Sequence, residues 1–529
     1  MKVFIQPIVY MALLLMAVTA CYDDKGNYSY DEVSEITAEN MPESFTVVQK
    51  SDPIVLKPSF KSSTEGVIDD NPNYEFGCRF YRKAGVFSNN LRYIDINEEK
   101  KKDIYYIPDV DEGDYICWYT VKDRRTDVVT NFQIPVKVTS ATYEGWMVLC
   151  DVGDSKKVRM DLVSVLSKDR ITTVHDVLGS KAPELFNANT IYYDPWPLYS
   201  KGDGIWITTS SGSYSLTHYN LQTTPTNNLT LTDFIVSPEN EEVVAANGLY
   251  KSNHFVITDK GNMYARSSSY YGRMFEFPAN TFVVDGEPAF KVAPFIGVSQ
   301  KRPFSVENAN ADYVALFYDK DNKRFIKWSE LIEGGTVCVL LSDPAGAKFS
   351  FTTGKDMIAM VNTRFNGGVV YSVLEDAAHK RSIYGINLDG GAFSQSFYEE
   401  NMNTEGFDKA TQFAFHSQYP YMFYNSDNKV YCYQLFEKNL TQPLTLDGEE
   451  ITLLKFNLFQ RQTIELADQS DEFLEQQHYL VVGSYKKDAT DDNGGILRFY
   501  KFDQATGTLT KKMEYSGFGK IRDVVYRER

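Results

Sequence analysis

Short apolar runs with period-two alternation recur from residue 44 onward, and no helical periodicity intervenes. In the N-terminal part, Ser44–Val48 and Ile54–Pro58 are followed by Tyr74–Tyr81 (YEFGCRFY), Tyr115–Val121 (YICWYTV) and Phe132–Val138 (FQIPVKV). Turn-rich stretches separate them. Strand alternation places Phe76, Cys78 and Phe80 on one face, and Tyr115, Cys117 and Tyr119 on another. These runs predict one β-sandwich over residues 41–140.

From Tyr143 the pattern becomes repetitive: an apolar strand, a polar turn, and a second strand carrying Tyr or Phe. The unit recurs at Gly145–Val165, Gly204–Leu221, His254–Ser267, Asp312–Trp328, Asp356–Asp376, Tyr419–Leu435 and Tyr479–Leu509. Successive units lie about 56 residues apart, and short strands at such a period predict a β-propeller over residues 141–529. A blade cannot bury both faces alone, so it must stack on its neighbours around an axis. The best-fitting count is seven, with six or eight as alternatives. Hairpin-favouring turns occur at 259–262 (DKGN), 426–429 (SDNK) and 492–495 (DNGG). The last stretch, Gly517–Arg529, is expected to pair near Trp146 and close the ring. The fold class is therefore all-β.

The first 20 residues differ from all of this. Lys2 begins the chain, Ile8 to Val18 form an apolar stretch, and Val18-Thr19-Ala20 precede Cys21. This layout predicts a bacterial lipoprotein signal peptide over 1–20, with a covalent lipid on Cys21. Pro7 and the brevity of the apolar stretch, against the roughly 20 residues a span needs, argue against a membrane-crossing helix. Residues 21–40 are polar and acidic and are read as a flexible tether. The acidic pair Asp23-Asp24 resembles the signal that sends lipoproteins of the Bacteroidota to the outer face of the outer membrane.

Charge narrows the partners. With 54 basic and 71 acidic residues the chain carries −17, which argues against nucleic acid and against a polybasic grip on lipid. Beyond Cys21, the five remaining cysteines fit neither a CxxC metal site nor a dense disulfide scaffold. Only Cys78 and Cys117 come into question as a bridge, with packed free thiols as the alternative.

The sequence offers little chemistry. None of the six histidines forms HExxH or an HxH pair, and neither a GxSxG elbow nor a GxxxxGK[ST] loop occurs. His254 and His478 each precede an apolar strand and are read as satisfied strand-end histidines. Asp488–Gly494 (DATDDNG) has closely spaced oxygens but lacks the later Glu of a calcium loop, and is read as a solvated hairpin tip. No catalytic residue, metal site or bound cofactor is assigned. Two aromatic connections stand out: one with Tyr192, Tyr193, Trp196 and Tyr199, the other with Tyr270 and Tyr271. Stiff aromatic surfaces suit sugar rings or peptide side chains, and filling gaps between blades is the competing role.

The segment Asp111-Glu112-Gly113-Asp114-Tyr115-Ile116-Cys117 resembles the tyrosine corner of immunoglobulin-like domains, with Tyr two residues before Cys. No Trp lies between Cys78 and Cys117, and the gap is shorter than in an antibody domain, which points to a PKD-type sandwich. Together with CYDDKGNYSY from Cys21 and Glu144-Gly145-Trp146 opening the propeller, the chain resembles the PKD-like family of Bacteroidota lipoproteins. That resemblance implies a setting beside SusC-like transporters and SusD-like lipoproteins that import nutrients. The expected function is a non-catalytic binding or docking accessory for a glycan or peptide. A propeller enzyme, a polysaccharide lyase or glycosidase, is the alternative.

Overall fold

The computed structural model describes residues 34–83, 93–167, 170–194, 204–248, 253–267, 274–281, 283, 286–298, 314–330, 336–388, 393–459 and 471–528. Contacts divide the chain into Met1–Thr139 and Ser140–Arg529.

In the first unit, one sheet runs Phe45–Val48, Val129–Thr139, Gly113–Asp123, Tyr74–Arg82, Tyr93–Asp95. Its first strand pairs parallel with Val129–Thr139 and the remaining pairs are antiparallel. Ile36–Glu39, Ser59–Ser62 and Gly66–Val67 form a second sheet, and Ile54–Leu56 pairs with Ile104–Tyr106. Phe60, Phe76, Phe80 and Tyr119 fill the core. The tyrosine corner is formed: Tyr115 Oη donates to the carbonyl of Asp111 at 2.8 Å.

One detail departs from the sequence reading, and a second bears on the cysteine pair that it left open. Ile36–Glu39, placed in the tether, is a strand paired with Ser59–Ser62, because Ile36 buries its side chain in the core. Cys78 lies opposite Tyr119 and Cys117 opposite Phe80, so the cysteines are diagonal neighbours within one sheet. An immunoglobulin bridge instead joins two sheets. Here both are buried free thiols with sulfurs 3.1 Å apart.

The second unit contains seven sheets among the described residues, one per blade. Blade 1 consists of Gly145–Val152, Lys157–Ser167 and Arg170–Val174 with the C-terminal strand Lys520–Arg527 on its inner edge. Trp146 lies opposite Tyr526, so the end of the chain closes the ring as expected. The inner strands of the following blades are Ala188–Asp194, Val243–Gly248, Gly297–Val298, Asp356–Asn362, Phe413–Phe415 and Glu449–Phe456.

Seven separate apolar clusters hold the ring together, one at each junction between neighbouring blades. This is the physical content of a propeller: each sheet has two apolar faces and neither is complete alone. At the closing junction Trp146, fully buried, has its ring centroid 4.4 Å from that of Phe499 and 4.9 Å from that of Tyr526. Gly145 makes this entry possible. Its φ is +141°, and a Cβ there would lie 2.0 Å from the carbonyl oxygen of Val163.

Six of the recurring sequence units are the second and third strands of a blade. The unit at Asp356–Asp376 is instead the first and second strands of blade 5. Its turn explains the slip: Asn366, Gly367 and Gly368 all have positive φ, the chemistry of a tight hairpin.

Candidate binding site along the propeller axis

Each inner strand ends, within one residue, on a polar side chain wherever the described residues reach that end. These are Asp194, Asn247, Asn362, His416, Asn457 and Glu528, from blades 2, 3, 5, 6, 7 and 1. Most tie one blade to the next. Asp194 Oδ2 meets His254 Nε2 of blade 3 at 3.0 Å. Asn247 and Asn362 both donate to the carbonyl of Ile296 just before blade 4, at 3.3 and 3.1 Å. Asn457 Oδ1 accepts from the Tyr526 N–H at 3.4 Å, and Tyr193 Oη donates to the Glu528 carbonyl at 2.8 Å. His416 is buried, its Nδ1 accepting from the Gln418 N–H and its ring against Phe456 of blade 7.

Inside this belt lies a cavity of about 360 Å³, bordered by Tyr192, Asn247, Asn362, Lys455, Asp523 and Tyr526 among others. Lys455 Nζ donates to Asp523 Oδ1 at 2.6 Å, and Asp523 Oδ2 accepts the N–H of Ile191 at 2.8 Å. At the opposite end of the inner strands is a second cavity of about 460 Å³, and Thr190 borders both. Two cavities thus lie along the axis, and the Lys455–Asp523 ion pair borders the first of them.

Electrostatics follow burial. Burial holds the His254 imidazole below its usual range, against the opposing pull of Asp194. It lowers His416 to about 3 and His478 to about 4. Burial also lowers Arg364, which donates to Gln477 Oε1 and the Phe459 carbonyl, to about 10. His254 is satisfied as expected. His478 differs, since its buried Nδ1 has no partner among the described residues.

Tyr192 and Tyr193 are not in a loop but in the inner strand of blade 2, both buried and both bordering the axial cavity. The Tyr192 ring packs on Trp206 at 5.1 Å, and Gly248 leaves room for its hydroxyl, since a Cβ there would come within 2.5 Å of it. Trp196, Tyr199, Tyr270, Tyr271 and Cys21 lie outside the described residues. The strands leading to the aromatic connections end on one face of blades 2 and 3: Asp194 pairs with Gly204, and Ser267 with Asn253. Sequence reasoning missed Lys455 and Asp523 as a pair, because 68 residues separate them and each reads as an ordinary strand residue.

Asp488–Gly494 is the middle turn of blade 7 and borders a cleft of about 560 Å³ against blade 1. Its carboxylates serve the turn, as where Asp491 accepts the Asn493 N–H, and Asn493 Oδ1 accepts from Arg159. Among the described residues no three His, Cys, Asp or Glu side chains are grouped to hold a metal ion.

Residues 21–184 match the model of the PKD-like family, a span that takes in the sandwich and reaches through the first three strands of blade 1. No curated protein matches the sequence. Solved structures with some likeness include a protein of Lactobacillus plantarum, 11% identical, covering 73% of this chain and 100% of its own, with a TM-score of 0.43. A quinonprotein alcohol dehydrogenase-like protein of Bacteroides thetaiotaomicron is 13% identical, covering 94% and 97%, at 0.37. The Swd1 β-propeller domain of Myceliophteria thermophila is 7% identical, covering 68% and 98%, at 0.38. Likeness at this level carries nothing about activity, and blade count and closure follow from the strand pairing. The chain carries a PKD-like family domain followed by a β-propeller.

Proposed function

We propose that this is a lipoprotein anchored through Cys21 on the outer face of the outer membrane, whose propeller binds a ligand or partner without transforming it. In this reading it serves a SusC/SusD-type uptake system for a glycan or peptide. The anchor is supported by the apolar run ending at Cys21, by Asp23-Asp24, and by a family match that starts at residue 21.

One observation carries the binding reading: the carboxylate at the first axial cavity, Asp523, is already held by neighbouring groups. A lyase or glycosidase needs a carboxylate or base free to exchange a proton. Asp523 instead accepts from Lys455, from the Ile191 N–H and from its neighbour Val524 N–H. Fixed polar groups around a cavity suit recognition. The connections bearing Trp196, Tyr199, Tyr270 and Tyr271 add flat aromatic faces to the same proposal. Incubating the purified full-length protein with a panel of glycans and peptides tests it. Saturable binding with every member recovered intact is the expected result, and release of product from any of them overturns it.

A further inference from the structure

The second axial cavity, at the start of the inner strands, differs chemically from the first. Asn189, Val244, Pro294, Gln412, Thr452 and Arg522 line it, and no carboxylate side chain does, in a chain with 71 acidic residues. The guanidinium of Arg522 is fixed along one edge: its Nε donates to Asp151 Oδ2 at 2.6 Å, while Asp151 Oδ1 accepts the N–H of Ala188 at 2.8 Å. Its terminal nitrogens have no partner among the described residues. The same holds for the side-chain amide of Gln412. Thr452 is 4% exposed, and its hydroxyl is buried without a hydrogen bond.

An arginine, an amide and a hydroxyl from three blades thus border one cavity with donors unused, Arg522 also bordering the cleft between blades 7 and 1. Asp151 offsets the Arg522 charge, so what remains at the mouth is directional donor capacity. A planar guanidinium held on one edge presents two parallel N–H groups, the geometry that receives a carboxylate. A buried hydroxyl with no partner costs free energy in the empty state and is relieved by a ligand oxygen.

Building on the binding role above, we propose that this mouth receives the carboxylate of a small acidic ligand. Arg522 is the fork, with Thr452 and Gln412 holding the adjoining oxygens. A volume of about 460 Å³ fits one uronic-acid ring or one acidic amino acid, and both bring the same carboxylate.

Calorimetric titration of the purified full-length protein with galacturonate, glutamate and galactose tests this. Galacturonate and galactose differ only by the carboxylate. The expected result is that galacturonate, glutamate or both bind at least tenfold more tightly than galactose. Arg522→Gln should remove at least tenfold of that affinity. Because Arg522→Gln also disturbs Asp151, Thr452→Val is the second variant: affinity should fall severalfold at an unchanged melting temperature. Equal binding of galacturonate and galactose, no binding of either acid, or undiminished acid binding by both variants overturns the proposal. A neutral glycan or a peptide bound elsewhere would leave the wider binding role standing while this assignment fell.

Discussion

Lys455 and Asp523 meet beside the propeller axis at 2.6 Å, joining the inner strand of blade 7 to the C-terminal strand that completes blade 1. Asp523 also holds the N–H of Ile191 in blade 2, so one carboxylate connects three consecutive blades at the point where the ring closes. Arg522 reinforces the seam beside it through Asp151, and Tyr526 Oη does so through Glu144 at 2.6 Å. Ring closure and the candidate binding site are therefore built from the same strand.

Replacing Asp523 by Ala leaves the Lys455 ammonium without its partner and the Ile191 N–H unpaired. Breaking a buried pair by removing one member costs up to several kcal/mol, and Lys455 is still partly in water, so about 2–3 kcal/mol is expected. Lys455→Met should cost less, since it strands no backbone donor. Urea denaturation of both variants checks the order, and equal losses would show that the Ile191 contact contributes nothing.

Much of the fold was legible because it is written in local periodicity. Apolar alternation gave the strands, the repeat gave the blades, and the Asp111–Cys117 motif gave the tyrosine corner. Ile36–Glu39 was not legible, because only Ile36 and the small Ala38 carry its burial in a polar stretch. The axial site was not legible for a different reason: its members come from six blades, and a propeller brings them together only once closed. A signal was nevertheless present, in the polar residue that ends one inner strand after another, as in YYD194, MVN362 and KFN457. It becomes readable only when the blades are phased correctly, and the Asn366-Gly367-Gly368 turn obscures that phase in blade 5.

The thiols give a second test. Cys78 is pushed well above the usual thiol range by its neighbour Cys117 and by burial, while burial raises Cys338 and Cys432 to about 12. All five described cysteines are buried. The native protein should resist alkylation at pH 8, and the denatured, unreduced protein should titrate five thiols. Three thiols would mean that Cys78 and Cys117 are bridged.

Acid should weaken the propeller through His416. Its folded value of about 3 lies below the ordinary imidazole value, so the unfolded chain takes up a proton that the folded one refuses. The contribution is complete above pH 6.5 and is lost as pH falls toward the folded value. By pH 4 the loss from this residue is about 3 kcal/mol. His416→Phe keeps a ring among Tyr419, Phe456 and Phe502 and should flatten the slope of stability between pH 6.5 and 4. A slope identical to that of the unmodified protein would show that His416 does not set the acid sensitivity.

Localisation is tested at the start of the chain. Cys21→Ala should abolish lipid labelling and release the protein from membranes, and replacing Asp23 and Asp24 by Ala should shield it from protease added to whole cells. The unmodified protein should be digested under those conditions, and its survival would contradict exposure on the cell surface.

The most direct test of the central claim, that the propeller axis is the binding site, is to block the axis. Thr190 is exposed and borders both axial cavities, so Thr190→Trp places an indole against both from a position that no core cluster uses. The measurement is the binding isotherm of a panel ligand on this variant beside the unmodified protein, with melting temperatures recorded for both. At least a tenfold loss of affinity at an unchanged melting temperature is expected. Undiminished binding by Thr190→Trp would contradict the claim.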